Sequence, residues 1–291
     1  METNTILTSG VLPIEGFNLK YRLEGSGREA IVVGSAIYYP RVFSENFKSH
    51  FKTLFLDHRG FAETANPFQT SDFVLDKILS DIEIARKQIG FGKVTIIGHS
   101  AHGYMALEYA KRYPDSVSSV VIIATGPSHG SHMTYAFQDW EELSCPQRKT
   151  KWQADQQRFL PQMENDPRRA FVYYCLSAES KSWYDLSYQS EPLWDGIRVN
   201  PSGIDYLYGE VFRDLKIEEG LENLQLPVFL ALGRFDYLVA PFYTWNAYRQ
   251  FFQDLHIRVF EKSAHNPQLE ESEAFEAELL LWISRKKNGF F

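Results

Sequence analysis

Cysteine is scarce in this chain, with only Cys145 and Cys175 in 291 residues. Without paired Cys/His spacing, neither a disulfide framework nor a metal site is expected, and both read as isolated reduced thiols. Long apolar runs are also lacking. Stretches such as 117–124 and 228–232 are too short to cross a bilayer, and residues 1–16 hold two acids, no base and no signal-like apolar core. A cytoplasmic protein with no membrane partner is therefore expected. Positive charge is short as well: 30 lysines and arginines stand against 37 aspartates and glutamates, a net charge of −7, and the bases form no cluster. Nucleic acid is disfavoured as a partner.

Apolar residues make up 44% of the chain and aromatics 15%, enough to fill a large α/β core. Short β-branched and aliphatic runs at 31–33, 53–56, 94–97, 117–124, 228–232 and 257–260 read as buried parallel strands. Between them, 72–89, 103–113, 242–252 and 268–283 have helical period. The alternation predicts an α/β fold, a mostly parallel sheet covered by helices on both faces. Residues 17–23 read as an antiparallel edge. The pattern breaks between about 126 and 226, which is polar, aromatic and without a convincing strand. The expected organisation is a core of 1–126 and 225–291 with a helical lid inserted at 127–224.

Chemistry concentrates at Gly98-His99-Ser100-Ala101-His102-Gly103, where an apolar run turns into an amphipathic one. A strand that turns abruptly into a helix presents a serine in a strained conformation above the sheet. Small residues two places either side normally permit that turn; Gly98 fits and His102 does not. A serine nucleophile needs a histidine to take its proton and a carboxylate to orient the imidazole. Asp236 follows the run 228–232 and His265 follows the run 257–260. In a parallel sheet both loops leave the same carboxyl edge as Ser100, so the three groups can converge. The two oxyanion donors are expected to be the backbone N–H groups of Ala101 and of Ala36, in the loop after 31–33.

Together these landmarks resemble the α/β-hydrolase superfamily, most closely its proline iminopeptidase-like branch. Asp57-His58-Arg59-Gly60-Phe61 resembles the family's Asp-x-Arg-Gly-x turn, Gly98-His99-Ser100 its nucleophile turn, and Leu107 to Pro114 the end of the helix that follows. Gly233-Arg234-Phe235-Asp236, and His265 followed by Pro267, Glu270 and Phe275, resemble its acid and histidine loops. The resemblance implies an eight-stranded sheet, a variable lid, a Ser100–His265–Asp236 triad and no cofactor. Three departures stand out: Gly34-Ser35 replaces the usual His-Gly, Ala264 replaces a glycine, and His102 replaces the second glycine of Gly-x-Ser-x-Gly.

The expected activity is a serine hydrolase cleaving a small amide or ester, iminopeptidase-like or esterase-like, with a small molecule or short peptide as substrate. Alternatives on the same scaffold are a lactonase, a carbon–carbon bond hydrolase or lyase, and a ligand-binding receptor. An iminopeptidase needs a lid carboxylate for the substrate amine, because a buried ammonium without a partner is costly. Glu210 is the candidate, with a solvent-facing helix charge as the plainer reading. Tyr38 is expected to wall the pocket. His102 is either a buried, hydrogen-bonded filler between helix and sheet or a residue that meets substrate.

Overall fold

The computed structural model describes residues 6–64 and 67–287; residues 1–5 of the N-terminal segment read above lie outside them. Among the described residues nine strands form one sheet: β1 (Ile6–Ile14), β2 (Phe17–Gly25), β3 (Arg28–Gly34), β4 (Phe51–Asp57), β5 (Glu63–Thr64), β6 (Val94–His99), β7 (Val117–Ile123), β8 (Val228–Gly233) and β9 (Leu255–Phe260). Their order is β1-β2-β4-β3-β6-β7-β8-β9, with the two-residue β5 set beside β2 off this path. β1 and β2 pair antiparallel, as do β2 and β4, whereas β4 through β9 run parallel along the path. The fold is the expected α/β architecture, with one more strand than eight because the short β5 pairs with the start of β2.

The apolar runs become central strands because both sides of each are covered. Ile31, Val33, Ile96 and Leu230 face one core, which also contains Ile78 and Met105 from the helices Leu75–Ile89 and His102–Arg112. Ala30, Val32, Ile97 and Phe229 face the other, with Phe275, Leu279 and Trp282 from the helix Ser272–Lys287. Successive strand residues thus enter opposite cores, as the period of two requires. The stretch 242–252, expected to be one helix, instead forms two short 3₁₀ segments, Phe242–Ala247 and Arg249–Phe251. Trp245 sets this geometry by burying its ring and donating from Nε1 to the Thr125 carbonyl at 2.8 Å. Every regular element between β7 and β8 is helical. Among the described residues no helix is long and apolar enough to cross a membrane.

The direction of winding fixes where a site can form. From β3 the path continues to β4 on one side and to β6 on the other. Connections therefore diverge beyond the carboxyl ends of β3 and β6, opening a crevice there.

Candidate active site

Ser100 sits between β6 and the helix His102–Arg112 with φ at +58°, a left-handed conformation that a serine adopts only when its surroundings impose it. Its N–H donates to the Ile123 carbonyl at 2.8 Å, and its own carbonyl accepts from Thr125 Oγ1 at 2.6 Å. Both partners belong to the end of β7 or the residues just after it, so the neighbouring strand holds the turn. Gly98 makes the close approach possible: a Cβ there would lie 2.1 Å from the His102 carbonyl oxygen.

His102 fits this turn because of Gly34. A Cβ at position 34, at the end of β3, would lie 2.8 Å from His102 Nδ1 and 2.3 Å from the Tyr39 ring. The imidazole therefore occupies space left by the missing side chain across the sheet. Two of the three departures from the family pattern are thus reciprocal: glycine stands where histidine is usual, and histidine where glycine is usual. Both readings of His102 have a physical basis, since it is buried and hydrogen-bonded and also lines a cavity.

That cavity has a volume of about 600 Å³ and contains Ser100, Ala101 and His265 in its wall. His265 Nδ1 lies 2.7 Å from Asp236 Oδ2. The other Asp236 oxygen accepts N–H groups from Leu238 at 2.9 Å and Val239 at 3.4 Å. A carboxylate held this way accepts the Nδ1 proton and leaves Nε2 as the basic nitrogen. The structure therefore brings Ser100 and His265 to one cavity and couples His265 to Asp236. Ala101 lines the same space just before the helix, where N–H groups lack intrahelical acceptors.

Ala36 requires a correction. Its N–H donates to Asp57 Oδ1 at 2.7 Å within the protein, so it is not directed at the cavity. Burial pushes the Asp57 carboxyl up to about 7, opposed by the Ala36 N–H and by Lys20. Ser35, one residue earlier, lines the cavity instead, and its Oγ accepts N–H groups from Ile37 at 3.2 Å and Tyr38 at 3.1 Å, fixing the loop. Glu210 also requires a correction: it is solvent-exposed and absent from the cavity wall, because it lies on the outer side of the 207–211 π-helical segment, whose Tyr208 lines the cavity. Tyr38 does line the cavity; it packs 4.4 Å from Trp194, centroid to centroid, and donates from its hydroxyl to Asn266 Oδ1 at 3.2 Å.

The remaining wall is rich in aromatics, including Phe61, Phe171, Trp183 and Tyr208. Among its described residues are two acids, Glu164 and Asp205, both exposed, and no lysine or arginine. The helical segment after β7 also grips the loops that carry Asp236 and His265. Ser182 O accepts the His265 N–H at 2.9 Å, and Lys181 O accepts the Tyr237 N–H at 3.1 Å. Glu270 accepts N–H groups from Tyr184 at 2.6 Å, Ala264 at 2.8 Å and Asn266 at 3.1 Å. Burial raises its carboxyl to about 7, with those three N–H groups opposing. Sequence reasoning marked Glu270 only as part of a family pattern, because its partners are backbone groups with no signature of their own. Among the described residues no group of three or more His, Cys, Asp or Glu side chains could hold a metal ion.

Comparison with known proteins accords with this geometry. Residues 26–272 match the family model described as the alpha/beta hydrolase fold. The chain is 38% identical over 278 residues to the AB hydrolase superfamily protein YclE of Bacillus subtilis, covering 95% of this chain and 99% of that one. It is 25% identical over 242 residues to a putative proline iminopeptidase of Mycoplasma genitalium, covering 73% and 75% of the two chains. In fold it superposes on the proline iminopeptidase of Mycobacterium smegmatis with a TM-score of 0.70 at 15% identity, over 96% of this chain and 98% of that one. The chain belongs to the α/β-hydrolase superfamily, with proline iminopeptidases among its relatives.

Proposed function

We propose that this protein is a serine hydrolase acting on compact, largely apolar esters or amides. The observation that carries the reading is Ser100 held at positive φ in the wall of the cavity that also contains His265, itself hydrogen-bonded to Asp236. Ser100 Oγ attacks the substrate carbonyl carbon while His265 Nε2 takes its proton; Asp236 orients the imidazole and balances the charge that forms. The carbonyl oxygen becomes an oxyanion between the N–H groups of Ala101 and Ser35, the latter replacing Ala36 in this role. Collapse of the tetrahedral intermediate expels the alcohol or amine with the proton from His265. Water activated by the same imidazole then frees the acid from Ser100.

Residues 127–224 act as the lid over this site, and their aromatic wall favours an apolar acyl or aryl group. The absence of lysine and arginine from the described wall disfavours anionic substrates. An ester is favoured over an N-terminal proline amide, because the two acids that line the cavity are exposed and supply no buried counter-charge for an ammonium.

A panel of short acyl esters, lactones and aminoacyl anilides tests the reading, with Ser100→Ala as control. Multiple turnover of neutral esters is expected, with a loss on the order of 10⁴-fold or more in Ser100→Ala. Undiminished turnover in that variant would remove Ser100 as nucleophile. Preferential cleavage of proline anilides would move the assignment to the iminopeptidase side.

A further inference from the structure

Three histidines other than His265 are buried around the site: His58, His99 and His102. They are linked. Gly60 N–H donates to His58 Nδ1 at 3.0 Å, and His58 Nε2 lies 3.1 Å from His102 Nε2. His102 Nδ1 lies 2.8 Å from the Tyr39 hydroxyl, which lies 3.4 Å from both His99 Nδ1 and the His99 carbonyl. His99 Nε2 lies 2.7 Å from the backbone carbonyl of His265.

The two ends determine every proton between them. A backbone N–H only donates, so His58 Nδ1 is an acceptor and the proton of this neutral ring is on Nε2. Nε2 of His58 therefore donates to Nε2 of His102, whose own proton must stand on Nδ1. That proton goes to the Tyr39 oxygen, leaving the tyrosine hydroxyl to donate towards His99. At the far end a carbonyl only accepts, so His99 carries its proton on Nε2 and presents Nδ1 to Tyr39. The assignments from the two ends agree at Tyr39. Burial supports the neutral rings, holding His58 and His99 down to about 3 and His102 well below the usual histidine range.

We propose that Gly60, His58, His102, Tyr39 and His99 form a one-way hydrogen-bond chain whose function is to position the backbone of His265 against the residue that precedes Ser100. His102 is then a positioning residue and not a substrate ligand. Its imidazole, in the place of a glycine, is the link through which the Asp57-His58-Arg59-Gly60 turn constrains the base. Reversal at any member would set two donors or two acceptors against each other inside the protein, so the chain has one proton arrangement.

The inference takes His265 as the base from the hydrolase reading, but the proton arrangement can be measured without activity. Long-range ¹H–¹⁵N correlation on histidine-labelled protein, assigned with single histidine variants, is expected to show His58 and His99 protonated on Nε2 and His102 on Nδ1. Finding His102 protonated on Nε2, or cationic at neutral pH, overturns the chain even if no substrate is turned over. Kinetics on whichever ester is cleaved supply the second readout, with folding of each variant checked by circular dichroism. Tyr39→Phe is expected to lower kcat about tenfold with KM unchanged, the loss of about one buried hydrogen bond. His102→Ala is expected to match it. His102→Asn, whose amide nitrogen replaces Nδ1 as donor to Tyr39, is expected to recover most of that loss. Equal kcat in Tyr39→Phe and the parent, or equal loss in His102→Asn and His102→Ala, refutes the positioning role.

Discussion

Replacing Asp57 by asparagine is expected to stabilise the protein most in mild alkali and progressively less as pH falls towards 4. Asp57 is buried, at 3% exposure, and its carboxyl holds its proton up to about 7 against an ordinary value of 3.8. The folded state therefore binds more protons than the unfolded state between these two values. Stability is lost as pH rises through that window, and the loss is complete above about pH 7. Ionising the buried carboxyl costs on the order of 4 kcal/mol, from 1.36 kcal/mol per pH unit. In Asp57→Asn the amide oxygen still accepts the Ala36 N–H, so the loop after β3 keeps its anchor while the charge is gone.

Thermal melts of parent and variant at pH 5 and pH 8 provide the assay. At pH 8 the variant is expected to melt higher by on the order of 5–10 °C, and at pH 5 the gap shrinks to under half of that, closing only near pH 4 and below. Glu270 titrates in the same range, and His58 and His99 oppose it below pH 6.5, but both proteins carry these groups. The difference between them therefore isolates Asp57. Parallel pH profiles for the two proteins would refute the reasoning.

Two further substitutions probe the packing around the site. Gly34→Ala places a Cβ against His102 and Tyr39 at a φ of +141°, and is expected to cost more than about 2 kcal/mol in urea unfolding. Adding His102→Gly should return at least about 1 kcal/mol; strict additivity in that double-mutant cycle would argue against the reciprocal fit. Asp81→Ala strips the buried Arg59 guanidinium of its bidentate partner, bonded at 2.6 and 2.8 Å, and leaves Glu15 at 2.8 Å and the Asp72 carbonyl at 3.1 Å. A loss of about 3–5 kcal/mol is expected by chemical denaturation, and a loss under about 1 kcal/mol would show that these partners suffice.

The core strands were legible because burial on both faces writes itself as continuous apolar runs. β1 was not: among the described residues Ile6–Ile14 pairs only with β2, and it carries Gly10 and Pro13, so it resembles a loop. Gly10 is required because the Tyr21 ring crosses it, with the hydroxyl 2.7 Å from where a Cβ would stand. Ser100, Asp236 and His265 could be picked out because each follows a recognisable strand. The choice between Ser35 and Ala36 could not, since one residue of register in a loop decides which residue lines the cavity and which N–H meets Asp57. Glu210 failed for a related reason: a helical acid in a lid has the same sequence signature whether it faces substrate or water. Tyr39, His58, His99 and His102 meet only because the carboxyl ends of β3, β4 and β6 converge, and nothing local in the sequence announces that meeting.

The bonds from residues 181–184 to the loops of Asp236 and His265 bear on how this scaffold can be re-engineered. Lids are natural units for grafting when substrate range is to be changed, but here the proposed lid is joined to the loops of Asp236 and His265 by two backbone hydrogen bonds, and to the Glu270 carboxylate by a third bond from the Tyr184 N–H. A chimera that exchanges 127–224 as a block would remove the acceptors for His265 N–H and Tyr237 N–H and one donor to Glu270. A graft that keeps 181–184 must also keep Arg148, whose guanidinium donates to the Ser180, Trp183 and Tyr184 carbonyls, and Asn200, which donates to the carbonyls of Arg59, Gly60 and Ala62. In this protein the exchangeable unit is therefore smaller than the insertion, and its boundary is set by hydrogen bonds to the core and not by the ends of the helical segment.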